Sequence, residues 1–93
     1  MKLILIQDAY IQSGEYRLHT DEGKPSIYVL KNWYEAYATD ADDNKYLIIW
    51  KIKPDFDIAT NPDEYEACNW NTPEEIIQLD TGKNVTDQAE IIG

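Results

Sequence analysis

A chain of 93 residues has room for one domain, near the lower limit of what buries an adequate core unaided. Eighteen acidic against eight basic residues give a net charge of −10, which argues against direct contact with nucleic acid, since phosphates call for a basic patch. One cysteine excludes an internal disulfide framework and fits a reducing compartment, and no apolar run approaches the roughly 18 residues of a membrane span.

The chain opens with Met1-Lys-Leu-Ile-Leu-Ile6, too short for the core of a signal peptide and followed at once by Gln7 and Asp8, so residues 2–6 read as a first strand. Residues 7–14 end in Ser13-Gly14, a turn signal. The alternation in 15–19 suggests a short strand. Gly23 and Pro25 mark a loop over 21–25, and Ser26 to Lys31 is a further β-type run.

The strongest signal lies between Asn32 and Lys53. Two runs rich in aromatic and β-branched residues flank Asp40-Ala-Asp-Asp-Asn44, the pattern of an antiparallel hairpin. In the second arm Tyr46, Ile48, Trp50 and Ile52 share a face, and Leu47 and Ile49 make the opposite face apolar as well. Such a strand belongs in the middle of a sheet with cover on both sides. In the first arm, Ala36 and Ala38 leave room for large cross-strand partners such as Trp50. Pro54 ends the second arm, because it cannot donate to a ladder.

Behind Pro54 the texture changes. Asn61-Pro-Asp-Glu64 combines a capping residue, a proline suited to a first helical position and acids for the positive end of a helix, predicting a short helix over 62–68. Asn71-Thr-Pro-Glu-Glu75 repeats that signal. Yet Glu75 to Leu79, Asp80-Thr-Gly-Lys83 and Asn84 to Thr86 also read as strand, turn and strand. The hairpin is preferred, because Asp-Thr-Gly makes a good turn and five residues make a poor helix. Residues 87–93 fit a short helix, an edge strand or a frayed tail. The expectation is an α+β, β-rich single domain spanning 1–93: a small antiparallel sheet, a meander around hairpin 32–53, with one or two short helices.

Candidate chemistry is sparse. Asp40, Asp42 and Asn44 match the opening of a calcium loop, but Lys45 stands where the sharp turn needs glycine and Lys51 where a bidentate glutamate belongs. No metal and no cofactor are expected. Asp80-Thr-Gly82 resembles the motif of retroviral-type aspartic proteases, whose chemistry needs two carboxylates sharing a proton under a closing flap. Only eleven residues follow Gly82, too few for that apparatus. Cys68 beside Ala67 and Trp70 reads as a buried thiol, with His19 the one residue that could pair with it. No catalytic residue is assigned.

Charge distribution is the remaining lead. Residues 1–53 hold eight acids and seven bases, whereas residues 54–93 hold ten acids and the single base Lys83. Solubility alone is one explanation of such a bias. The other is a surface for a basic partner, built from Asp55, Asp57, Asp63, Glu64, Tyr65, Glu66, Trp70, Glu74 and Glu75. On an extended segment Asp55 and Asp57 would sit about 7 Å apart on one side, the order of successive phosphates. In this array, and in the layout of an aromatic hairpin followed by Ala67-Cys-Asn-Trp70, Pro73 and Ile-Ile-Gln-Leu-Asp-Thr-Gly82, the chain resembles DNA-mimic inhibitors and short acidic proteins of bacterial mobile elements, anti-CRISPR proteins among them. The resemblance implies a non-enzymatic protein of the host cytoplasm, phage-borne or of another mobile element. It would occupy a basic surface of a nuclease or other nucleic-acid-binding protein. The alternative is a homo-oligomeric assembly module, a homodimer for example, pairing through strand edges and tyrosines.

Overall fold

The computed structural model describes residues 1–17, 29–57, 59–60 and 63–92. Their core is the hairpin of β3 (Val29–Thr39) and β4 (Lys45–Lys51), paired antiparallel from Trp33↔Lys51 to Thr39↔Lys45. The turn between them is built by Asp40. One carboxylate oxygen accepts from the backbone N–H groups of Asp42 and Asn44, both at 2.9 Å. The other accepts from the Asn44 amide at 2.9 Å and the Tyr46 hydroxyl at 2.7 Å. These bonds, that from the Asn44 amide first, pull the Asp40 carboxyl down to about 2. Asp43 takes a positive φ of 65°, which a short polar side chain tolerates. The calcium-like spacing is therefore a self-capped turn, and no group of residues that could hold a metal ion occurs among the described residues.

Among the described residues four more strands, β1 (Lys2–Leu5), β2 (Tyr10–Arg17), β5 (Glu75–Gln78) and β6 (Glu90–Ile92), extend this into a curled half-barrel in the order β5-β4-β3-β1-β6, with β2 also on β3. β5 pairs antiparallel with β4, making β4 central as its two apolar faces imply. The far side of the long β3 is shared. β2 takes its N-terminal part from Val29 to Glu35, and β1 its C-terminal end at Ala38 and Thr39. β6 then adds in parallel to β1, bringing the two ends of the described chain together.

Alternation gives the sheet two faces. On the first, Leu3, Tyr34, Ala36, Ala38, Tyr46, Ile48, Trp50 and Ile76 are buried together with Ala67, Cys68 and Val85 from the segments that cover them. Ala36 and Ala38 oppose Ile48 and Tyr46, and Tyr34 is the residue opposite Trp50. On the second face, Trp33 and Ile49 pack with Leu30, Tyr16 and Leu47. Two glutamates also lie there, Glu35 at 9% exposure and Glu75 at 2%. Each has its donors. Glu35 accepts from the Trp33 indole at 2.8 Å and the Tyr10 hydroxyl at 3.0 Å, and Glu75 accepts from the Tyr16 hydroxyl at 2.5 Å and the Asn84 amide at 3.4 Å.

The expected α+β class is overturned: no α-helix occurs among the described residues, and the protein is β-rich throughout. In place of the helix over 62–68 stands a single 3-10 turn, Glu64–Glu66, with Asp63 capping the Tyr65 N–H at 3.1 Å. It stops there because Ala67 and Cys68 are claimed by the sheet. Cys68 bridges Ile52, and the Ala67 carbonyl accepts from the Lys53 N–H at 2.8 Å. The second capping signal, at 71–75, leads into β5, where burying Ile76 against Ile48 outweighs it. β5 does turn back after Gly82, at φ +70°, but the return arm is only a bridge at Asn84. The Ser13-Gly14 turn is also corrected. β2 runs straight through it, with Gly14 at φ +131° inside a register shift between Ser13 and Tyr16. Among the alternatives for 87–93, the edge strand is realised. His19, the loop at 21–25, most of the run at 26–31 and the capping residue Asn61 lie outside the described residues.

Candidate binding groove

The segment between β4 and β5 lies over the first face, and aromatic residues tether it. The Trp50 indole donates to the Trp70 carbonyl at 3.1 Å, and the Trp70 indole donates to the Tyr65 carbonyl at 2.9 Å. The Trp70 ring meets Tyr34 edge-on, with centroids 5.4 Å apart at 86°, and Trp50 at 5.2 Å and 67°. Such edge-to-face pairs add about 0.5–1.5 kcal/mol each beyond area burial. The Tyr34 hydroxyl closes the cluster by donating to Glu64 at 3.3 Å. Burial and then the Glu64 charge push the Tyr34 phenol above its ordinary value.

Beside this cluster runs a groove of about 870 Å³. Tyr34 and Trp50 contribute its floor, and Glu64, Tyr65, Trp70, Asn71 and Pro73 line one wall. The other wall comes from Leu5 at the end of β1, Asp8 and Ala9 after it, and Ala89 with Glu90 and Ile91 of β6. Asp8, Glu64 and Glu90 are among the described residues that line it, and no lysine or arginine is.

The nine residues read from the sequence fall into three groups. Glu64, Tyr65 and Trp70 line the groove, and Tyr65 is 87% exposed. Asp55, Asp57, Asp63, Glu66 and Glu74 are exposed on the segments around it. They do not form an extended ladder: Phe56 N–H bonds back to the Lys53 carbonyl and Thr60 N–H to that of Asp57, so Asp55 and Asp57 sit in successive turns. Glu75 stands apart, buried on the opposite face under Tyr16, where its carboxylate is turned away from any partner. The other ten lining residues escaped the sequence reading. Among them, Tyr34 and Trp50 looked like core, Asp8 joins the site through the β1–β3 pairing, and Glu90 joins through the β1–β6 pairing.

Cys68 is 2% exposed, and burial pushes its thiol up to about 11, so little thiolate exists near neutrality. Asp80 is exposed in the turn after β5. No helix among the described residues is long and apolar enough to cross a membrane. Compared with protein-family models, curated proteins and solved structures, the chain matches none, so its own geometry is what there is to interpret.

Proposed function

We propose that the chain is a non-enzymatic acidic binding protein. It occupies a basic surface of a nucleic-acid-handling protein such as a nuclease, in the cytoplasm of a bacterial host, as a DNA-mimic or anti-CRISPR-like inhibitor does. The observation that carries this reading is the tethering of the acidic segment. Asp63, Glu64 and Glu66 project from a turn whose neighbours Ala67, Cys68 and Trp70 are fixed to the sheet by the contacts above. Charges held in place cost little ordering entropy on binding and steer a basic partner toward one face. Inhibition follows from occupancy: carboxylates seated on a basic channel exclude the phosphates it serves.

A second reading has its own observation. Ile4 and Ile92, register partners on β1 and β6, are 60% and 43% exposed, and β6 pairs only with β1 among the described strands. An edge strand with apolar neighbours suits association with a second copy.

The separating experiment is a pull-down with the tagged chain from the cell that carries the gene, at low and high salt, beside the Asp63→Lys, Glu64→Lys, Glu66→Lys triple variant. The three side chains are exposed, and the reversals remove the cap of one 3-10 turn and the 3.3 Å acceptor of the Tyr34 hydroxyl but no strand pairing, so the sheet and its circular dichroism should persist. The expected result is a basic protein captured at low salt, released at high salt, and bound about 100-fold more weakly by the variant. A complex indifferent to salt and to the three reversals contradicts the proposal. A concentration-dependent dimer that ignores them supports the second reading.

A further inference from the structure

Deepening the reading above, on which it rests, we infer that the groove is a socket for one arginine side chain carried on an extended basic segment of the partner. The lining chemistry is that of a cation acceptor. Both indole N–H groups nearby are spent on backbone carbonyls, and since Trp50 is buried it is the half-buried Trp70 that offers π surface rather than a donor. Ring faces attract cations, Trp most strongly, and more so when water is excluded. The Tyr34 ring sits between Trp70, 5.4 Å away, and the Glu64 carboxylate, 3.3 Å from its hydroxyl, so a negative charge stands one ring's length from the stacked aromatics. Asp8 adds a carboxylate from the other wall, and no base is among the described lining residues, while the Glu90 side chain alternates with core-packed Ile91 onto the face of its register partner Lys2.

Arginine fits this setting better than lysine. A guanidinium is planar, stacks on an aromatic face and is weakly hydrated, so it loses less on leaving water, while its edge forks onto a carboxylate. An ammonium is compact and strongly hydrated, and gains less from a flat ring. The volume of about 870 Å³ lies within the range of ligand clefts, roughly 300–1,000 Å³, and leaves room for backbone on either side of the inserted residue. The groove also runs between two walls drawn from distant parts of the chain, which suits an extended segment lying along it.

The probe is acetyl-Gly-Arg-Gly-amide, titrated into the full chain while the indole N–H signals are followed by ¹H–¹⁵N NMR. Peptides with citrulline or lysine in place of arginine are the comparisons. Trp33 is an internal control, since its indole lies on the second face bonded to Glu35. The expected result is saturable shifts of the Trp50 and Trp70 signals with Trp33 unmoved. The citrulline peptide gives no shift, and the lysine peptide binds about 3-fold or more weakly. Tyr65→Ala and Glu64→Gln, both at exposed positions, should each weaken arginine binding about 3- to 10-fold while leaving the Trp33 signal in place. Equal binding of arginine and citrulline, equal binding of arginine and lysine, or shifts that leave Trp50 and Trp70 unmoved would overturn the socket. Salt-dependent capture of a basic protein alongside such a failure leaves the broader reading standing without it. A working socket with no salt-dependent capture does the reverse.

Discussion

Trp50→Ala should cost about 3–5 kcal/mol, the range for truncating a buried aromatic side chain. Set against a total of about 5–15 kcal/mol for a domain of this kind, that is enough to leave a large unfolded fraction at 37 °C. Three losses coincide. The ring is 2% exposed near the C-terminal end of β4. It is an edge-to-face neighbour of Trp70, and its indole N–H satisfies the Trp70 carbonyl at 3.1 Å. Removing it opens a cavity on the first face, orphans that carbonyl and frees the covering segment. Urea unfolding followed by circular dichroism measures the cost. Trp50→Phe restores most of the volume but not the donor, and should fall between wild type and alanine. A loss below about 1 kcal/mol for alanine would show that the segment over the first face is not held as described.

The second large effect belongs to the opposite face. Tyr16→Phe removes the hydroxyl that donates at 2.5 Å to the Glu75 carboxylate, which is 2% exposed and also accepts from the Asn84 amide at 3.4 Å. Taking one donor from a buried, charged acceptor costs about 1–3 kcal/mol. The bond also joins β2 to β5 across two intervening strands, so its loss should loosen β2 first. In a Glu75→Gln background the same Tyr16→Phe change should cost clearly less, because a neutral amide tolerates a missing donor better. The pH dependence has a definite sign. Burial, and then the bond to Glu75 and its charge, raise the Tyr16 phenol above its ordinary value. A group whose folded pKa is raised contributes fully below its unfolded pKa, about 10, and loses that contribution as pH climbs toward the folded value. Tyr10, Tyr34 and Tyr46 are raised too. The test is therefore the difference between proteins: the stability gap between wild type and Tyr16→Phe should be constant below pH 10 and narrow above it.

The hairpin at the centre of the fold was legible because its signals are local: alternation in two runs, and a turn whose capping residue lies among its own neighbours. The two apolar faces of β4 likewise announced a central strand. What could not be read depends on distant residues. Gly14 looks like a turn in sequence and becomes a bulge only because β3 is long enough to carry β2 past it. Of the signal at 61–64, the capping residue Asn61 lies outside the described residues and the cap seen is Asp63, while the pull of Cys68 onto Ile52 and of Ile76 onto Ile48 limits that element to a single turn and makes the stretch after 71–74 a strand. Glu75 was counted with the surface acids because a carboxylate is usually solvated. Its register partner Ile49 and the hydroxyl of Tyr16, 59 residues away, decide otherwise. The groove was half visible, in Glu64, Tyr65 and Trp70. Its other wall depends on a parallel pairing of residues 2–4 with 90–92, which leaves no local trace.

The most direct measurement of the central claim is a hydrogen-exchange footprint of the chain with and without its captured basic partner. A partner docked on the aromatic, acidic groove should slow exchange together at residues 64–71, at 8–9 and at 89–91, three stretches that only the fold brings side by side. The strand β2, whose Tyr16 packs on the second face, should be unchanged. Protection confined to β2 and the second face, or to the outer edge of β6, would contradict the account.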